Sequence, residues 1–147
     1  MNDVHQGQPT PQASSLKPRL ISGMQATYLE AQWPGVNTSG IEPIGDYVLV
    51  MMDQCSDLSA GGIYLTEDQV ERMNEAAESG CIMAVGDGAF TRYDDGRPWT
   101  GARPVPGDRV CIERYSGIKQ MGADGHIYRV MGYRSIAARQ IEPQETV

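Results

Sequence analysis

The chain has 147 residues, with 12 Lys and Arg against 19 Asp and Glu and a net charge of -7 at pH 7. That length holds one modest domain with a tail and excludes a large multidomain enzyme. Its 17 Gly, 9 Pro and single Phe favour short strands joined by turns over a helical bundle, and an acidic chain whose only lysines are Lys17 and Lys119 is unsuited to a nucleic-acid partner.

Residues 1–18 (MNDVHQGQPTPQASSLKP) are rich in Gln, Pro and Ser and have almost nothing to bury, which predicts a disordered arm. From Leu20 to Gln32 the apolar residues Leu20, Ile21, Met24, Tyr28 and Leu29 recur at helical spacing until Trp33-Pro34-Gly35, so a short amphipathic helix is predicted. A helix packed on the domain or on a neighbouring subunit, and a tail that orders only in an assembly, fit this pattern equally. Residues 1–40 thus read as an extension, largely disordered, and residues 41–147 as the folded domain.

Ile41 to Met52 (IEPIGDYVLVMM) reads as a strand centred on Val48, Leu49 and Val50. Residues 53–79 form a connection far longer than a hairpin needs, and such loops are usually functional or disordered. Within it Thr66 and Gln69 occupy capping-box positions, and Val70, Met73 and Ala77 fall on one side, which predicts a helix in 66–79. Cys81 to Val85 is a second strand, ended by Gly86-Asp87-Gly88. In the connection 88–105, Tyr93-Asp94-Asp95-Gly96-Arg97 has the Asp-Gly signature of a hairpin tip. Pro106-Gly107-Asp108 marks a turn before a half-buried strand at Arg109–Arg114, and Asp124-Gly125 precedes a strand at His126–Met131. Ile136–Ile141 is the last apolar segment. About five short strands between turns predict an all-β fold, a small barrel.

Catalytic chemistry finds little support. His5 lies in the arm, and His126 reads as a solvated turn residue without a Cys or carboxylate at metal-ligand spacing. Neither a nucleophile elbow nor a P-loop is present, and Gly86-Asp87-Gly88 lacks the third glycine and the helix of a dinucleotide fingerprint. No catalytic residue, cofactor or metal is expected. Cys55, Cys81 and Cys111 are odd in number and widely spaced, which suits reduced thiols, with Cys81 and Cys111 as small core residues. No window approaches 18 apolar residues and no signal peptide opens the chain, so no membrane partner and a soluble cytoplasmic protein are expected.

The segment Ser59-Ala60-Gly61-Gly62-Ile63-Tyr64-Leu65-Thr66 puts three apolar side chains after two glycines, among Asp53, Asp57, Glu67 and Asp68. By itself it reads equally as an exposed cluster awaiting a partner and as one more core strand.

From Ile41 to about Glu142 the chain resembles the GroES (ten-kilodalton chaperonin) co-chaperonin family. Ile41 to Val50 is similar to the family's opening strand, and Ser59 to Thr66 to its mobile-loop signature, Ser-Ala-Gly-Gly-Ile-aliphatic-Leu-Thr, at the same distance from that strand. Gly80 to Gly88 resembles the next strand, Pro106-Gly107-Asp108 the Val-Gly-Asp turn, and Tyr115-Ser116-Gly117-Ile118-Lys119 the Tyr-Gly-Val-Lys run. The order and spacing of these pieces carry the resemblance more than any one of them.

The resemblance implies a small irregular GroES-like β-barrel with a long mobile loop and a roof hairpin, assembled as a homo-oligomer, a seven-membered ring. It implies a co-chaperonin that caps a nucleotide-bound GroEL-type chaperonin and assists ATP-dependent folding of a non-native client by closing the chamber. Gly61, Gly62, Ile63, Tyr64 and Leu65 then form the chaperonin-binding loop, and Tyr93, Asp94, Asp95, Gly96 and Arg97 the roof hairpin. Strands near 41–50 and 136–142 join neighbouring subunits. This chain departs from the pattern in Tyr64, where an aliphatic residue is usual, in the helix pattern after Thr66, in a longer roof with Trp99, and in residues 1–40, which have no counterpart. The divergence and extension suggest a bacteriophage-encoded lid suited to a bulky capsid protein as client. The competing reading is a structural or assembly module of a phage particle built on the same barrel. Zinc-dependent alcohol dehydrogenases share the barrel but need a Cys-His ligand set that is absent here.

Overall fold

In the computed structural model, residues 16–21, 26–59 and 66–141 are described, with side chains for 29–55 and 66–141. The elements are β1 (Leu16–Ile21), β2 (Ala26–Ala31), β3 (Tyr47–Met52), β4 (Gln54–Ser59), α1 (Glu67–Glu75), β5 (Ser79–Val85), β6 (Arg109–Ile112), β7 (Ile118–Met121), β8 (Ile127–Gly132) and β9 (Ile136–Arg139). They form a six-stranded antiparallel sheet in the order β7-β8-β3-β5-β6-β9 and a three-stranded one in the order β1-β2-β4. The expected all-β fold is thus the one observed, with one α-helix among the described residues.

The run Val48-Leu49-Val50-Met51-Met52 is apolar throughout because both faces of β3 are covered. Val48, Val50 and Met52 join Ile82, Val110, Ile112, Met131, Phe90 and Tyr133 in one core cluster. Leu49 and Met51 join Cys81, Met83, Tyr128 and Ala31 in a second, with Trp33 and Ile41 packed against it. Four strands of one sheet meet in the first cluster, so the sheet wraps its own core. The second face is closed partly by the N-terminal segment. Between β5 and the next turn, Gly86 is required by close approach, since a Cβ there would lie 2.3 Å from the Gly45 carbonyl oxygen. Gly107, at φ +99°, turns the chain into β6, and a Cβ there would meet Trp33 Cδ1 at 3.2 Å.

Several expectations are corrected. The predicted helix from Leu20 to Gln32 is instead a β-hairpin: β1 pairs with β2 from Leu16↔Ala31 to Ile21↔Ala26, and β2 pairs with β4. Three-stranded pairing overrides the weak helical period, and Pro18 is tolerated because β1 is an edge strand. The predicted arm therefore enters β1 from Leu16, and residues 1–15 lie outside the described residues. The strand expected from Ile41 begins only at Tyr47, after a turn in which Gly45 has φ +65°. β4 and β7 were not expected; β4 is a polar sequence made regular by pairing with β2, and β7 is exposed along its length and pairs only with β8.

His126 is not a solvated turn residue. It is buried, and neither ring nitrogen has a hydrogen-bond partner among the described residues. The Asp124-Gly125 turn is real, with Gly125 N–H donating to the Gly122 carbonyl (3.0 Å) and His126 N–H to Asp124 Oδ1 (3.1 Å). The turn is tied to residues 38–41, where Ala123 N–H donates to the Ser39 carbonyl and Thr38 Oγ1 to Asp124 Oδ2, and the His126 ring meets Tyr128 edge-on at 6.4 Å. Desolvation consequently lowers its pKa, only partly countered by Asp124.

Candidate functional site

Gly61, Gly62, Ile63, Tyr64 and Leu65 lie outside the described residues, but both supports of that segment are defined. Upstream is β4, and downstream is α1. The predicted capping box is present: Gln69 N–H donates to Thr66 Oγ1 (3.2 Å) and Thr66 N–H to Gln69 Oε1 (2.9 Å). Glu67 and Asp68 add favourable negative charge to the first turn. The predicted inner side is also observed, since Ala77 is buried in the first core cluster and Val70 and Met73 pack against it.

The far end of α1 depends on a residue that sequence reasoning did not single out. Arg129 on β8 is buried, and its guanidinium donates to the carbonyls of Asn74 (3.2 Å), Glu75 (2.5 Å) and Ser116 (3.3 Å). It satisfies terminal helix acceptors and places positive charge at the negative end of the dipole. Burial lowers its pKa, opposed by Glu75 and Tyr115. The available signal was one Arg inside the apolar run His126–Met131. β4 is fastened to the same helix, where Cys55 N–H donates to Asn74 Oδ1 (2.6 Å).

At the base of β4 a half-buried Arg and the buried Asp53 form a latch. Arg109 grips Asp53 with both terminal nitrogens, Nη1 to Oδ1 at 2.6 Å and Nη2 to Oδ2 at 2.8 Å. Asp53 Oδ1 also accepts the Ala31 N–H (2.9 Å), and Arg109 Nη1 donates to the Ala31 carbonyl (3.1 Å). Glu30 lies 3.5 Å from Arg109 Nε. Desolvation works against the Arg109 charge, but Asp53 and Glu30 outweigh it and raise its pKa. Cys81, buried beside this latch, has its thiol pushed up to about 11, chiefly by desolvation. It is the core residue expected, whereas Cys111 is half-buried.

Tyr93, Asp94, Asp95, Gly96 and Arg97 are brought together in a tight hairpin. Arg92 bridges to Pro98, Tyr93 N–H donates to the Arg97 carbonyl (2.9 Å), and Gly96 adopts φ +86°. Arg97 bonds Asp95 (2.6 Å) and lies 4.9 Å from the Tyr93 ring centre, while Asp94 pairs with Arg134. Tyr93 stacks on Trp99 at 4.7 Å, and Trp99 meets Phe90 and Tyr133 edge-on, so the tip stands on an aromatic base joined to the core. Among the described residues, no cluster of three or more His, Cys, Asp or Glu is arranged for a metal, and no helix is long and apolar enough to cross a membrane.

Residues 40–139 match the family described as Chaperonin 10 Kd subunit. The chain belongs to the ten-kilodalton chaperonin family. It is similar to the Co-chaperonin GroES of Lactobacillus acidophilus, 32% identical over 98 residues that cover 67% of this chain and 96% of the relative. The Co-chaperonin GroES of Lactobacillus helveticus is 31% identical over the same shares. That of Staphylococcus aureus is 30% identical over 102 residues, again 67% and 96%. The function is that of a co-chaperonin, which these relatives favour over a structural module of a particle. In this co-chaperonin β1, β2 and Trp33 lie before the matched range, while their partners β4, Asp53, Gly107 and Arg109 lie inside it.

Proposed function

We propose that this co-chaperonin caps a nucleotide-bound GroEL-type chaperonin through Gly61, Gly62, Ile63, Tyr64 and Leu65, with Ile63, Tyr64 and Leu65 entering an apolar groove of the partner. The observation that carries this reading is that the segment following Ser59 is framed by two secured elements, β4 held by Asn74 and α1 capped by Thr66 and Arg129. Three apolar anchors contribute roughly 1.5–3 kcal/mol each on burial, whereas ordering backbone costs about 1–2 kcal/mol per residue. One copy therefore binds weakly. Several copies in one ring raise avidity by about 10²–10⁴, while weak single contacts still let the lid leave when the nucleotide state changes.

The assembly proposed is a seven-membered ring in the cytoplasm. Support comes from two exposed stretches: β9 is the outer strand of its sheet and mostly exposed, and residues 41–46 lie outside any sheet with Ile44 82% exposed. The hairpin Tyr93–Arg97 is proposed as the roof over a non-native client, a capsid subunit if the protein is phage-encoded. Binding to a GroEL-type chaperonin is tested by pull-down with and without nucleotide, and repeated with Ile63→Ser and Leu65→Ser. Nucleotide-dependent capture that both substitutions abolish is the expected result, and capture indifferent to them removes the anchor. Native mass measurement expects a multiple near seven; a stable monomer at micromolar concentration contradicts the ring.

A further inference from the structure

β2 is paired with β4 at Ala26↔Ser59, Tyr28↔Cys55 and Leu29↔Gln54, with a bulge between Ala26 and Tyr28. Ser59 ends β4 and is the last described residue before the segment 60–65, so this pairing reaches the root of the docking segment. Behind β2, β1 continues in unbroken register over all six pairs. β4 is accordingly the third strand of a sheet rather than a lone arm, and three strands have an independent stability that a two-stranded ribbon lacks. The base of this sheet is locked by the Asp53–Arg109–Ala31 latch, which sits at the single residue between β3 and β4.

We infer that the N-terminal hairpin β1–β2 is a built-in splint that holds β4, and with it the upstream root of the chaperonin-docking segment, in the geometry used for docking. The inference deepens the docking reading above and rests on it. A strand stiffened before binding need not be ordered during binding, so each copy docks more tightly, and in a ring the gain recurs at every copy. The hairpin precedes the range shared with the family, so the splint is an addition to the common domain.

The test uses full-length variants. Leu29→Pro removes a ladder donor from the central strand of the three-stranded sheet, and Val110→Ala, in the first core cluster on a strand of the six-stranded sheet, serves as a control for general destabilisation. Affinity for a GroEL-type chaperonin with nucleotide is measured together with amide exchange at β4. Leu29→Pro is expected to bind at least tenfold more weakly than Val110→Ala and to exchange faster at Cys55–Ser59. Equal affinity of the two variants overturns the splint while leaving the docking reading intact. If the unaltered protein does not bind at all, the docking reading falls and the splint with it. Should Leu29→Pro fail to fold, Tyr28→Cys decides: opposite Cys55, it allows the hairpin to be bonded to β4 by oxidation. Undiminished or tighter binding of the oxidised form supports the splint, and binding restored only on reduction overturns it.

Discussion

The two hairpins outside the six-stranded sheet are built on different principles. The hairpin around Asp95-Gly96 is closed mainly by neighbours in sequence, Tyr93 to Arg97, Asp95 to Arg97 and Tyr93 to Trp99, and rests on Tyr133 and Arg134 from further along the chain. The hairpin β1–β2 is held by residues far along the chain, with β4 alongside and Asp53 and Arg109 at its base. Local closure depends on turn chemistry and a few aromatic contacts, so change at the exposed tip is felt first within the hairpin itself. Distant closure joins the hairpin to the core, so damage to the latch spreads.

The sharpest way to break that contrast is Asp53→Ala. It takes the carboxylate from both terminal nitrogens of a half-buried guanidinium, which keeps only the Ala31 carbonyl and Glu30, and leaves the Ala31 N–H without that acceptor; loss of one partner of such a pair costs about 3 kcal/mol. Thermal unfolding is expected to shift down by roughly 10 °C, and a shift of only a degree or two means that the latch does not couple the hairpin to the core. Next in size is Trp99→Ala, where removal of a half-buried ring from the aromatic base costs about 2 kcal/mol. Amide exchange should accelerate at Tyr93 and Gly96 and stay unchanged at β2 and β4; acceleration at both hairpins erases the distinction.

Thr66→Ala removes one half of the capping box and costs about 1 kcal/mol. Because Arg129 still holds the other end of α1, exchange measured along the helix should rise in its first turn and not near Asn74 or Glu75. The smallest expected effect is a slope rather than a step. The folded chain binds a proton at His126 only below the usual imidazole value of 6.5, whereas the unfolded chain takes it up near that value. The stability from keeping His126 neutral is thus complete above about pH 6.5 and declines as pH falls toward the lowered folded value. Denaturant unfolding across this range should show the decline, and His126→Leu should flatten it. Asp124, whose own desolvation is outweighed by hydrogen bonds from Thr38, Tyr128 and His126 N–H, is held below the usual carboxylate range and adds its loss only at lower pH.

Read alone, the chain gives away its turns and the cap of α1, whose causes are local, though not the short-range hairpins β1–β2 and β7–β8. The Asp95-Gly96, Pro106-Gly107-Asp108 and Asp124-Gly125 turns follow from residues that accept unusual backbone angles or bond their own backbone. The Thr66–Gln69 capping box and the apolar side of α1 are likewise written at fixed spacings. The apolar run of β3 announced burial, and the ordered pieces from Ile41 onward announced the family. What only the tertiary structure decided involves partners distant in sequence. A weak helical period at Leu20–Gln32 became two strands because β4 offered an edge, and the polar β4 became a strand in return. Thr38 found Asp124 on the turn before the buried His126, Arg129 found the end of α1, and Asp53 found Arg109 across 56 positions. Spacing records contacts a turn or two away, while pairings like these exist only once the chain has folded back on itself.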